Sequence, residues 1–146
     1  MAITNFLKSK FFFFLAVFLI LGSAHFFYPK WQNTGSEASI SWDVFGYYLY
    51  LPAFFIYDDW QELNFVEDIS QKYHPAGENS PITKLENGNA TGQYSLAWPI
   101  FHLPAFVLGH IAAKISKYPV DGFSKPYQMA ISFYGLAFAY LGLILT

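Results

Sequence analysis

Asp43 stands in the stretch Ser41-Trp42-Asp43-Val44-Phe45-Gly46-Tyr47-Tyr48-Leu49-Tyr50-Leu51-Pro52, a carboxylate among aromatic rings. In that setting it can accept a proton from a hydroxyl nucleophile or help hold a divalent cation at a phosphate. Read as a helix, with Ser39 or Ser41 as cap and a stop or kink at Pro52, the stretch puts Asp43, Tyr47 and Tyr50 on one face through the i+4 and i+3 spacings. A partly extended run is the other reading, because aromatic residues also suit strands. The pairs Asp58-Asp59 and Glu67-Asp68 offer less. Adjacent side chains on a helix diverge, so capping and solubility account for them. His74, His102 and His110 lack the close spacing of a zinc motif and read as packing or interfacial hydrogen-bonding residues. With no cysteine in the chain, thiolate catalysis, disulfides and sulfur-based zinc sites are excluded, and any metal would rely on carboxylates and the four histidines.

The elements that must position these residues are mostly helical. Asp58 or Asp59 caps a second helix, with Gln61 or Glu62 at the reciprocal position three residues on. Ile56, Trp60, Leu63, Val66 and Ile69 recur at helical spacing and leave Asp59, Glu62 and Asp68 to the polar side. That helix suits either the membrane surface, with its Trp at the interface, or packing against the rest of the protein. From Lys72 to Gln93 the density of Gly, Asn and Pro reads as loop with tight turns. Asn89-Ala90-Thr91 is formally a glycosylation acceptor, a triplet common by chance.

Two windows set the class. Phe11 to Pro29 and Tyr127 to Thr146 contain no Asp, Glu, Lys or Arg, and each is the length that crosses a hydrocarbon core of about 30 Å. The 54% hydrophobic and 22% aromatic content exceeds what a soluble domain of 146 residues needs for its core. Lys8 and Lys10 ahead of the first window orient the amino terminus inward and the following chain outward. A cleaved signal peptide ending near Gly22-Ser23-Ala24 is the competing reading, and it leaves the rest of the chain on the same side. Nine of the ten acidic residues lie between Glu37 and Glu86, which agrees weakly with an external segment. The chain has no arginine, so bidentate base or phosphate contacts are missing and nucleic acid is not an expected partner.

Residues 98–113 form a third apolar segment, short for a span and containing Pro104. Hydropathy and the Lys114, Lys117 and Lys125 group favour spanning, with the next loop in the cytoplasm. The last window carries Ala130, Gly135, Ala139 and Gly142 for close helix contact. It stops without a polar cap, which reads as an incomplete chain.

An amino-terminal membrane helix, a long external first loop with an early acidic residue in an aromatic setting, and a later helix introduced by aromatic and proline residues together resemble one superfamily. It is that of the polyprenyl-phosphate-sugar-dependent integral-membrane glycosyltransferases, which includes the protein O-mannosyltransferases and the bacterial aminoarabinose transferase acting on lipid A. Ser41 to Tyr48 resembles the first-loop acidic motif. Gly92-Gln93-Tyr94-Ser95-Leu96-Ala97-Trp98-Pro99, followed by Phe106 to His110, resembles the loop and juxtamembrane helix after it. Asp121-Gly122-Phe123-Ser124-Lys125-Pro126-Tyr127 resembles the connection into the second membrane helix.

The resemblance implies an all-α, multi-pass protein of the inner (cytoplasmic) membrane, of which this chain is the amino-terminal part. Residues 11–28 would be the first membrane helix, 29–126 an external loop with juxtamembrane helices, and 127–146 the second membrane helix, with 96–115 external or interfacial instead of across the membrane. It implies that Asp43 is the catalytic base, with Trp42, Tyr47, Tyr50 and Asp59 as substrate-binding neighbours. The implied partners are membrane lipid, a polyprenyl-phosphate sugar and the missing carboxy-terminal part, without which the fragment is expected to be inactive. A divalent cation, or basic groups elsewhere, would assist the leaving phosphate. The alternative from the residues is a noncatalytic small membrane protein whose external acidic and aromatic segment binds a partner. A transporter fragment would need ionisable residues within true spans, where only His102 and His110 qualify.

Overall fold

The computed structural model describes the backbone of residues 2–92 and 94–145 and the side chains of residues 10–92 and 94–145. Gln93 of the motif above, Thr146, and the Lys8 side chain on which orientation partly rests lie outside the described residues. The chain is mostly helical, at 64% helix and 4% strand. Its order is α1 (Ala2–Phe27), α2 (Trp42–Tyr48), α3 (Tyr50–Pro52), a π-helical turn (Ala53–Tyr57), α4 (Phe65–Tyr73), β1 (Ile82–Lys84), β2 (Ala90–Gly92), α5 (Ala97–Lys114) and α6 (Lys125–Leu145). These residues divide into two compact units, one of residues 1–29 with 133–146 and the other of residues 30–132.

In the first unit α1 and the later turns of α6 lie antiparallel. Tyr140 donates its hydroxyl to the Phe14 carbonyl at 3.2 Å, its ring meets Phe18 edge-on at 5.2 Å, and His25 meets Phe133 at 4.9 Å. Two helices of the protein, over Lys10–Gln32 and Lys125–Leu145, are long and apolar enough to cross a membrane. Phe11, Phe12, Phe13 and Ile20 are exposed, as expected of side chains whose solvent would be lipid.

The second unit is built around a core of Ile40, Phe45, Tyr48, Leu49, Leu63, Val66, Phe123 and Tyr127. Phe123 meets Phe45 and Tyr48 edge-on at 5.6 and 5.5 Å, the geometry that the ring quadrupole favours. A buried amide ties its ends together. Gln128 accepts the Ile40 N–H at 2.7 Å and donates to the Phe123 carbonyl at 3.1 Å. Gly122 has φ +88, and a Cβ there would lie 2.7 Å from Cβ of Pro52, so turn geometry and close approach both require glycine.

The expected stop or kink falls at Pro52: α-helical geometry ends there, at φ −64, and the chain coils on as the π turn. Two expectations are corrected. The second helix begins at Phe65 instead of near Asp59, because Asp58 (φ +49) and Leu63 (φ +54) are left-handed and interrupt any helix through them. Val66 and Ile69 are buried as their spacing predicts, whereas Leu63 and Trp60 both lie outside the helix, Leu63 buried and Trp60 exposed. The purely α class gives way to a helical fold with one hairpin, since Ile82 pairs Gly92, Thr83 pairs Thr91 and Lys84 pairs Ala90. Asn87 and Gly88 turn it: Gly88 takes φ +89 and the Asn87 side chain accepts the Asn89 amide at 3.1 Å.

Residues 98–113 form α5, which among the described residues is not one of the two helices apolar and long enough to span, in agreement with the two-span order that the resemblance implies and against the hydropathy preference. One side of α5 is buried in the second unit through Ala105, Phe106, Gly109 and Ala113. Gly109 permits the contact, since a Cβ there would lie 3.0 Å from the Tyr127 Cα. Hydropathy favoured spanning because it does not distinguish a face buried in protein from one buried in lipid.

Candidate functional site

Trp42 opens α2 from a left-handed conformation, φ +50, with its amide donating to the Pro75 carbonyl at 3.0 Å. A bulky residue at positive φ is strained, and the Pro75 contact holds it there. Ser41 occupies the cap position but does not cap, because its hydroxyl donates to the Ala38 carbonyl at 2.7 Å. Asp43 follows in the first helical turn, exposed to solvent.

The face expected of Asp43, Tyr47 and Tyr50 is assembled against the segment from Gly92 to Tyr94. The Tyr94 hydroxyl donates to Asp43 Oδ1 at 2.7 Å, and the Tyr94 ring lies 4.4 Å from that of Tyr47. Gly46, one helical turn from Asp43, makes room for this ring, since a Cβ at position 46 would collide with it. Tyr50 reaches the same segment with its hydroxyl against Gly92, where a Cβ would also collide. The aromatic row continues through Trp98, 6.0 Å from Tyr47, to His102, stacked on Trp98 at 3.7 Å and 9°. Asp43 Oδ2 has no hydrogen-bond partner among the described residues.

The hydrogen bond to Asp43, with a smaller contribution from desolvation, raises the Tyr94 hydroxyl above its ordinary range. Tyr94 is therefore a donor at neutral pH. His102 is lowered by burial, a shift its contact with the Trp98 carbonyl offsets only in part. His110 is lowered by burial and by the nearby Lys114. Among the described residues no three His, Asp or Glu side chains converge on a metal position.

Of the expected substrate-binding residues, Tyr47 and Tyr50 lie on the Asp43 face, and Trp42 precedes it in sequence with its indole exposed. Asp59 has a different task. Its carboxylate accepts the amides of Leu63 at 3.0 Å, Asn64 at 2.6 Å and Phe65 at 3.4 Å, satisfying donors at the start of α4. Tyr94 and Gly46 were not singled out from the sequence. The signals available were a glycine inside the aromatic run and a tyrosine following the Gly92 turn, neither of which reveals a pairing 51 residues apart.

Asp121 was read only as a residue of the connecting loop, yet it organises the second unit. Its Oδ2 accepts from Lys72 Nζ at 2.8 Å and from the Tyr73 hydroxyl at 2.5 Å, while Oδ1 accepts the Phe123 and Ser124 amides, each at 3.0 Å. Burial alone would raise this carboxyl, but Lys72, Tyr73 and the Phe123 amide together hold it below its ordinary value. Burial and the Asp121 charge push Tyr57 up to about 12, and burial with the Asp121 hydrogen bond raises Tyr73 as well.

A depressed carboxyl contributes stability above its unfolded value of about 4, lost as pH falls through the lower folded value. A raised phenol contributes stability below about pH 10, lost as pH rises through the higher folded value. Denaturant midpoints of the detergent-solubilised chain are therefore expected to form a plateau from about pH 5 to 9 that falls on both sides. Asp121→Asn should flatten the acid side, and an unchanged acid side would contradict this assignment.

The chain matches no protein-family model, no curated protein and no solved structure. The fold and site define a mostly helical protein with two helices capable of crossing a membrane and a small unit that presents an oriented, solvent-exposed carboxylate.

Proposed function

We propose that this chain is the amino-terminal part of a membrane glycosyltransferase that moves a sugar from a polyprenyl-phosphate donor to an acceptor hydroxyl on the outer side of the cytoplasmic membrane. The observation that carries the reading is the state of Asp43. One carboxylate oxygen accepts from Tyr94 at 2.7 Å, the other has no hydrogen-bond partner among the described residues, and the residue is exposed to solvent. A base must be both oriented and accessible, and this carboxylate is both.

In the proposed reaction an acceptor hydroxyl donates its hydrogen bond to Asp43 Oδ2. As its oxygen attacks the anomeric carbon, the proton passes to Asp43. The bond from that carbon to the lipid phosphate breaks, and its electron pair leaves with the phosphate oxygen. Tyr47 and Tyr50 flank the acceptor, and the strained backbone at Trp42 sets the direction of Asp43. Asp59 is left out, its oxygens being committed to three amides. A cation at the lipid phosphate would need ligands beyond Asp43, so no step is assigned to one.

The two apolar helices support the membrane setting, and Lys10 ahead of the first supports the outward orientation. Membranes from cells expressing the full-length protein are expected to transfer labelled sugar from polyprenyl phosphate to an endogenous acceptor. Transfer from a nucleotide sugar with no lipid intermediate would contradict the reading.

A further inference from the structure

We propose that Tyr94 is a positioning residue: by holding Oδ1 of Asp43 it leaves Oδ2 as the oxygen that takes the acceptor proton, and Gly46 is what lets it reach that place. This rests on the reading of Asp43 as the base, and it adds to that reading the group that makes one carboxylate oxygen differ from the other.

An exposed aspartate in the first turn of a helix turns about two side-chain torsions. Left to itself, it has two equivalent oxygens and no fixed direction. A hydroxyl bound to one oxygen removes that freedom, provided that the hydroxyl is itself held. The Tyr94 ring lies over Gly46, one helical turn beyond Asp43, where a Cβ would collide with it, and it packs 4.4 Å from the ring of Tyr47. Two residues before Tyr94, Gly92 lies so close to the Tyr50 hydroxyl that a Cβ would collide there too. The two segments interlock, a tyrosine of each lying on a glycine of the other. The hairpin that carries Gly92 is anchored elsewhere as well: the Ala90 amide donates to the Gln61 carbonyl at 2.7 Å, and Lys84 donates to the Glu62 carbonyl and, at 2.8 Å, to Asn64 Oδ1.

Packing alone does not ask for the hydroxyl. A phenylalanine at position 94 would fill the space over Gly46 and meet Tyr47 equally well, so the phenol oxygen matters only through Asp43, 51 residues away. The bond also suits both ends of the reaction. Oδ1 accepts as part of a carboxylate before the proton moves, and it accepts as the carbonyl oxygen of the protonated acid once Oδ2 has taken the proton.

In membranes carrying the full-length protein, Tyr94→Phe is expected to slow labelled-sugar transfer about 10- to 100-fold, in kcat and not in the KM for the lipid donor, as when a reacting group is left misaligned. Gly46→Ala, which suits a helix but evicts the ring, should lose at least as much. In an Asp43→Asn background Tyr94→Phe should remove nothing further, because a positioning residue acts only through the group it positions. A Tyr94→Phe rate within about twofold of an active unsubstituted protein would overturn the proposal and leave Asp43 as the base. So would an equal loss in the Asp43→Asn background, which means that Tyr94 acts on the substrate directly. The contact also has a readout besides activity. In nuclear magnetic resonance of the chain with ¹³C-labelled tyrosine, the Tyr94 signal, assigned by its absence in Tyr94→Phe, should titrate above an ordinary tyrosine and fall towards it in Asp43→Asn. A titration that Asp43→Asn leaves unchanged would overturn the proposal, whether or not the protein transfers sugar. Absence of transfer beside a displaced titration would instead remove the glycosyltransferase reading, and with it the part this contact plays in the reaction.

Discussion

Asp43→Asn is expected to lower labelled-sugar transfer by the full-length protein by about 10²- to 10⁴-fold, the usual contribution of a positioned general base. The substitution keeps the size of the side chain and an oxygen able to accept the Tyr94 hydroxyl, so the helix and its packing should survive. What it removes is the capacity to take the acceptor proton as the new bond forms. The loss should therefore appear in kcat, with little change in the KM for the lipid donor. A rate within about twofold of the unsubstituted protein would remove Asp43 from the mechanism.

Phe123→Ala is expected to destabilise the unit of residues 30–132 by about 3 to 5 kcal/mol, the usual range for deleting a buried ring. Phe123 is 2% exposed and packs against Phe45, Tyr48 and Tyr73. These neighbours come from different parts of the sequence, so they cannot all move to fill the space it leaves. Marginal stability makes such a loss large, since small domains are stable by only about 5 to 15 kcal/mol in total. Denaturant unfolding of the detergent-solubilised chain, followed by tryptophan fluorescence, should show the midpoint fall, and Phe123→Leu should cost less. A change under about 1 kcal/mol would mean that the core does not rest on this ring.

What could be read from the sequence was what short stretches determine by themselves. A run without charge over some twenty residues is such a property, which is why both apolar windows coincide with long helices. The common face of Asp43, Tyr47 and Tyr50 is another, because helical spacing sets it wherever the helix lies. What meets that face was not legible. Tyr94 arrives through a hairpin whose strands are three residues each, too short and polar to register as strands, although Asn87-Gly88 marks their turn.

Local competition explains the errors in helix limits. The capping expectation for Asp58 or Asp59 located the right carboxylate, but Asp59 gathers the amides of Leu63, Asn64 and Phe65, and the helix starts only at the last of them. The break at Pro52, by contrast, was legible, because a missing N–H acts locally: α-helical geometry gives way to the π turn directly after it. Asp121 was overlooked because Lys72 and Tyr73, which make it a hub, lie 49 and 48 residues away.

The proposed transfer requires residue 43 to lie outside the cytoplasm, where a lipid-borne sugar and its acceptor meet. Because the chain has no cysteine, Asp43→Cys provides a single labelling position. In intact cells a membrane-impermeant maleimide is expected to label it as fully as it does after permeabilisation, while labelling that appears only after permeabilisation would place residue 43 in the cytoplasm and contradict the account.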